Sequence, residues 1–192
     1  MEIELHLCAL DPHMLQAWSR YFGAAAKVFL HEGNILARKA DAIVSPANSF
    51  GFMDGGIDLA YSHHFGWELQ ERLQRALRDA HDGELPIGNA AVVRTDHRDI
   101  PFLISAPTMR VPGDISDTVN VYLAFRAALL AAQRAKEIRS VLSPSLGTGV
   151  GGMSFERAAK QMHAAYAEVV LGDTEWRSTA RGVLRHHTHL LS

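Results

Sequence analysis

A chain of 192 residues that is 47% hydrophobic can bury one sizeable core and is short for two. Its formal charge of −2 gives no overall attraction to nucleic acid or anionic membrane, and its single cysteine excludes an internal disulfide. With no signal-peptide pattern at the start and no apolar run long enough to span a bilayer, the expectation is a soluble, cytoplasmic protein that makes no use of a membrane.

Met1 to Cys8 reads as a first strand, which makes Cys8 a core filler rather than a nucleophile. Asp11 and Pro12 supply an N-cap acid and a first-position proline for a helix to about Phe22, where Gly23 breaks it. Lys27 to Leu30 is a second strand, His31 to Leu36 a loop, and Ala42 to Val44 a short apolar third strand. A glycine-bearing loop from Ser45 to Asp58 then opens into one long helix from Ile57 to about His81, with Leu69, Leu73 and Leu77 on one face and Asp82-Gly83 at its end.

Ala90 to Arg94 and Phe102 to Ser105 are short strands joined by a turn around Asp96 to Asp99. Ala106 to Asp114 is too rich in proline and glycine for regular structure, and Ser116 or Asp117 caps a helix to about Lys136. Ser140 to Ser143 is the strand that feeds a second glycine loop, Ser145 to Gly152, and a last helix runs from Ser154 to about Val170. Residues 172–192 are poorly patterned and fit either a short strand around Val183-Leu184 or an ordered tail. Strands alternating with helices predict an α/β fold of three layers, α/β/α, around a mixed and largely parallel sheet.

The two glycine loops carry the chemistry. Each follows a buried strand and precedes a helix, so each can bring backbone N–H groups close to a phosphate. Gly147-Thr148-Gly149-Val150-Gly151-Gly152 satisfies the dinucleotide fingerprint G-x-G-x-x-G, with Asp173 about 20 residues on. The Rossmann reading fails because too little chain follows to complete its sheet, and the P-loop reading fails because no lysine follows the glycines.

Four segments in order, Gly33-Asn34-Ile35, Ala42-Ile43-Val44-Ser45-Pro46-Ala47-Asn48, Gly55-Gly56-Ile57-Asp58 and Gly147 to Gly152, resemble the motifs of the macrodomain family, the α/β modules that bind ADP-ribose. The resemblance runs from about residue 31 to 165 and implies a single domain over 1–192. It implies that Asn34 meets the adenine amino group and Ile35 lines the base pocket. Asn48 would bond the distal ribose, and Gly55, Gly56 and Ile57 would line one side of the diphosphate. Gly147, Thr148, Gly149, Val150, Gly151 and Gly152 would wrap the other. Asp58 matches the acid of the ADP-ribosyl hydrolases in the family, which with Asn48 gives the candidate catalytic pair. The implied activity is hydrolysis of an ADP-ribose derivative, either a modified protein or nucleic acid or a small ester or phosphate, without a cofactor. The alternative is a non-catalytic reader of ADP-ribose or another NAD-derived nucleotide.

Both key side chains also have plainer readings, since Asn48 suits a turn and Asp58 an ordinary first helical turn. Three positions depart from the family pattern: Asn34 replaces an aspartate, Ser45-Pro46 replaces asparagine-alanine, and Gly151 stands where many members carry an aromatic ring. Phe50, Phe52 or Met53 can cover the distal ribose in its place. His63 and His64 diverge on their helix, and His186, His187 and His189 lack a companion ligand at recognisable spacing, so no metal site is expected. Arg110, in the loop after a strand, is a surface arginine that can reach a phosphate or base edge.

Overall fold

A computed structural model describes residues 3–192. Six strands, β1 (Glu4–Ala9), β2 (Val28–Glu32), β3 (Ala42–Ser45), β4 (Ala91–Arg94), β5 (Phe102–Ser105) and β6 (Ser140–Ser143), form one sheet in the order β2-β1-β6-β3-β5-β4. All neighbours are parallel except β4 against β5. The helices are α1 (Pro12–Phe22), α2 (Gly56–Phe65), α3 (Glu68–His81), α4 (Asn120–Arg134), α5 (Phe155–Val169) and α6 (Ala180–Leu191). The mixed α/β/α arrangement expected from the alternation is therefore present, and Met1 and Glu2 of the first expected strand lie outside the described residues.

Side chains alternate across the sheet and fill a core on each face. Leu5, Leu7 and Val141 point toward Trp18, Phe22, Phe125 and Met162. Cys8, Ile43, Leu103 and Leu142 point the other way, toward Tyr61, Leu69, Leu73 and Leu77. Cys8 is thus a core residue, and burial pushes its thiol up to about 11. At α1 the capping signal is realised, with the Asp11 carboxylate accepting from the His13 N–H at 2.8 Å.

Three expectations need correction. The helix expected from Ile57 to His81 is two helices, α2 and α3. The break is at Gly66, whose φ of +92° lies outside the helical region, and its N–H closes α2 on the Ser62 carbonyl. The leucine period belongs to α3 alone. Neither Ser116 nor Asp117 caps α4: the Asp117 carboxylate pairs instead with Arg157 at 2.9 Å, and the helix starts at Asn120 after a turn in which Thr118 Oγ1 donates to the Ile115 carbonyl.

The C-terminal stretch is helical, with a 3-10 turn at Glu175–Ser178 leading into α6. Gly182 and Leu190 are buried and His186 half-buried between them, a spacing of four that a search for strand alternation passes over. Thr179 caps α6 by accepting from the Gly182 N–H. Glu168, buried on α5, accepts from Tyr122 and Arg126 of α4 and from Arg177 of the 3-10 turn. Burial pushes this carboxyl upward, but the hydrogen bonds from Tyr122 and Arg126 prevail and hold it below the ordinary carboxylate range. Trp176 stacks flat on His186 with ring centroids 3.8 Å apart, which completes the attachment.

Candidate functional site

Parallel strands end together, and the loops at their carboxyl ends enclose a cleft. Here the ends of β3, β5 and β6 carry loops that line a cleft of about 310 Å³, which reaches from Pro46 and Asp54–Asp58 on one wall to Pro144–Gly151 on the other. Thr108, Met109 and Pro112, from the loop after β5, close one side. The loops are tied by backbone: Asn48 bridges Met109, the Thr108 N–H donates to the Ala47 carbonyl at 3.1 Å, and the Ser49 N–H donates to the Arg110 carbonyl. In the sequence this third wall shows as the proline- and glycine-rich run after β5 and as Arg110 within it.

Of the expected site residues, Asn48, Gly55, Gly56, Ile57, Asp58 and Gly147 to Gly151 line the cleft. Gly152 does not; its N–H closes a turn on the Gly149 carbonyl. Asn34 and Ile35 also lie outside this lining. Asn34 is exposed and its Oδ1 accepts from the Leu36 N–H at 2.9 Å, while Ile35 is packed in the core beside Cys8 and Tyr61. Both sit just beyond β2, where the Gly33 N–H reaches the Ala9 carbonyl at the end of β1. That places them on the same edge of the sheet as the cleft.

Asn48 is first of all a loop builder. Its Oδ1 accepts from the Phe50 and Phe52 N–H groups, at 3.0 and 3.3 Å, and its Nδ2 donates to the Phe52 carbonyl at 2.8 Å. An amide has two N–H donors, so one is left over by these loop bonds. The turn reading is fulfilled. Met53 is fully buried and Phe50 lies beneath the Arg110 guanidinium, whereas Phe52 is 51% exposed and lines the cleft. Arg110 is engaged by Glu84 through two hydrogen bonds, at 2.6 and 3.0 Å.

Two sets of backbone donors converge on the cleft. In the first turn of α2 the N–H groups of Gly56, Ile57 and Asp58 precede the first intrahelical bond, from Leu59 to the Gly55 carbonyl. In the second loop, the N–H groups of Thr148, Gly149, Val150 and Gly151 have no partner among the described residues, while those of Gly152 and Met153 fold the loop back on itself. The arrangement favours an anion bound between the N-terminus of α2 and the unpaired N–H groups of the second loop.

Asp58 lies at the edge of this cleft but is only 6% exposed, and its Oδ1 accepts from Ser45 Oγ at 2.7 Å. Burial raises the carboxyl from its ordinary value to about 7, against the opposing pull of the Ser45 hydrogen bond. The helix N-terminus favours the charged form by about 0.3–1 kcal/mol, too little to reverse burial. Asp58 can therefore hold or release a proton in the neutral range, the condition in which one carboxyl can accept a proton and later release it. Ser45, visible in the sequence only as a departure from the family pattern, is its partner.

His63 turns toward Trp67, while His64 meets Phe65 and His97, so the two histidines do diverge. Among the described residues no helix is long and apolar enough to cross a membrane.

The family description "Macro domain" matches residues 44–162. A protein of Aeropyrum pernix is 37% identical over 139 residues, covering 72% of this chain and 69% of its own length. The macrodomain of Mycobacterium tuberculosis DarG superposes with a TM-score of 0.62 at 25% identity, over 72% of this chain and 89% of that one. A variant of the Oceanobacillus iheyensis macrodomain with ADP-ribose also gives 0.62 at 25% identity, over 72% and 75%.

Proposed function

This chain belongs to the macrodomain family, and on that premise we propose that it binds ADP-ribose or a close NAD-derived relative and hydrolyses a derivative substituted at the distal ribose. The observation that carries the reading is one cleft holding two sets of unpaired N–H groups and, at its edge, an acid poised near neutrality. The diphosphate lies between the start of α2 and the loop Gly147–Gly151, where fixed dipoles meet its charge without reorganising. The spare Asn48 N–H bonds the distal ribose, and the adenine end extends across β6 and β1 toward Asn34 and Ile35.

In the reaction, a water oxygen bonds to the anomeric carbon as the bond from that carbon to the leaving group breaks. Asp58 takes the water's proton, and the leaving group departs with the electron pair and receives that proton from Asp58, which returns the carboxylate to its starting form. The substrates are a modified protein or nucleic acid or a small ADP-ribose ester or phosphate, and the single buried cysteine suits the reducing cytoplasm.

A non-catalytic reader is the second reading, favoured by the Asp58 carboxyl being turned toward Ser45 beneath the floor. Calorimetric titration with ADP-ribose, ADP, GDP-ribose and NAD tests binding, and release of ADP-ribose from a modified protein tests turnover. Expected are binding of ADP-ribose by both wild type and Asp58→Ala, and turnover in the wild type at least about 10²-fold above the variant. No heat with any ligand refutes the binding site. Tight binding without turnover of protein, nucleic-acid or small-molecule substrates leaves the reader.

A further inference from the structure

Beneath the cleft floor two serines occupy matching positions. Ser45 ends β3 and Ser105 ends β5, and the two are in register, so their side chains leave the same face of the sheet, the face covered by α2. Both are fully buried. Their hydroxyls differ in one respect: Ser45 donates to Asp58, and the Ser105 hydroxyl has no partner. A buried hydroxyl that forms a hydrogen bond to a charged group contributes more than a neutral one, and an unpartnered one is a net cost.

We infer that Ser45 is the positioning residue for Asp58: its hydroxyl fixes Oδ1 beneath the floor and leaves Oδ2 as the oxygen available to the cleft. The inference rests on the proposed hydrolysis for its purpose, though not for its test. A carboxyl free to rotate would present either oxygen and would lose the hydrogen bond that favours its ionised form. Ser45 therefore acts on both geometry and charge state, and Asp58 alone meets the reacting water. The titratable neighbours do not confuse the assignment. Tyr61, on α2 beside Asp58, donates to the Val44 carbonyl, and burial raises its hydroxyl well above the ordinary range. Cys8, which faces Tyr61 from β1, is pushed up to about 11, and both stay neutral while Asp58 titrates. Asp54 is exposed on the cleft rim.

The test is the Asp58 carboxyl itself, followed by carbon-13 NMR through a pH titration, with ADP-ribose release measured over the same range. Ser45→Ala should move the Asp58 midpoint upward by about one unit, a tenfold change in the ionisation ratio. The acid limb of the hydrolysis profile should move with it, so activity near pH 6 falls about tenfold while ADP-ribose affinity is unchanged. Ser45→Thr keeps the hydroxyl and should restore the wild-type midpoint. Ser105→Ala makes the same change one strand away and should leave the midpoint where it was. Equal shifts from both serines, or no shift from Ser45→Ala, overturn the inference. So does loss of ADP-ribose binding in Ser45→Ala, which would make the serine part of the cleft. If no substrate is turned over by the wild type, the hydrolysis fails, and the NMR midpoints still decide the role of Ser45.

Discussion

The two glycine loops look alike in sequence and are built for different ends. In the loop before α2, a Cβ placed on Gly55 or Gly56 would meet nothing within 4 Å. In the loop before α5, a Cβ on Gly147 would come within 2.6 Å of Val121 and 3.1 Å of Ile115, and one on Gly151 within 2.6 Å of the Gly147 carbonyl and 2.7 Å of Ile115. Gly55 and Gly56 are bare toward the cleft, whereas Gly147 and Gly151, like Gly51 earlier in the first loop against Leu73 and Leu77, are bare toward the protein. Glycine at a strand end thus has two causes, close approach of a ligand and close packing of the chain, and the motif alone does not separate them. The packing also accounts for glycine at position 151: a side chain there must displace Ile115 or the backbone of Gly147.

The largest expected effect tests the packed loop. Gly147→Ala combines a left-handed φ of +73° with the Val121 contact and should destabilise by about 3 kcal/mol, read from the urea midpoint. A loss below about 1 kcal/mol would mean that the loop shifts freely, and the contrast between the loops would collapse.

Asp58→Asn probes the cost of burying a carboxylate in the first turn of α2, and its sign follows from the proton. The unfolded carboxyl ionises near 3.8 and the folded one at about 7, so between these values the native state binds more protons and loses stability as pH rises. Native stability associated with this group is complete below the lower value and lost above the upper one. The amide removes the buried charge and can still accept from Ser45. It should therefore stabilise by about 2 kcal/mol at pH 8 and have little effect near pH 3.5. Equal effects at the two pH values would show that Asp58 is not buried as a charge.

How far these features were legible depends on whether their cause is local. The strands and the Asp11 cap were, because short apolar runs and an acid followed by proline act within a few residues. The division between α2 and α3 was not, since Gly66 matters through its φ and a glycine inside a helical pattern does not announce that. Asp58 could be placed in a first turn, but its burial depends on Ser45, thirteen positions away, and on the packing of Tyr61. The Pro-Gly loop after β5 became a wall of the cleft only through its pairing with Asn48.

Asn48 lies between the two causes, because it builds the first loop and also lines the cleft. Asn48→Ala leaves the Phe50 and Phe52 N–H groups without their acceptor and should cost about 1–2 kcal/mol in stability. It should also weaken ADP-ribose more than ADP, which lacks the distal ribose. An equal loss for both ligands would reduce its role to the loop.

The smallest effect is the most discriminating. Gly55 has an extended φ of −145°, and its Cβ would enter open space, so Gly55→Ala should leave stability unchanged or raise it by about 0.5 kcal/mol through the unfolded chain. The same methyl stands where the diphosphate approaches, so ADP-ribose affinity should fall several-fold. Gly149, at the tip of the second loop, is the exception within its own wall: a Cβ there meets nothing either. If local geometry governs, Gly149→Ala behaves like Gly55→Ala, stable and weaker in calorimetric titration, despite sharing a loop with Gly147. If Gly149→Ala instead destabilises as Gly147→Ala does, the loop acts as one packed unit, and its glycines are constrained together rather than one contact at a time.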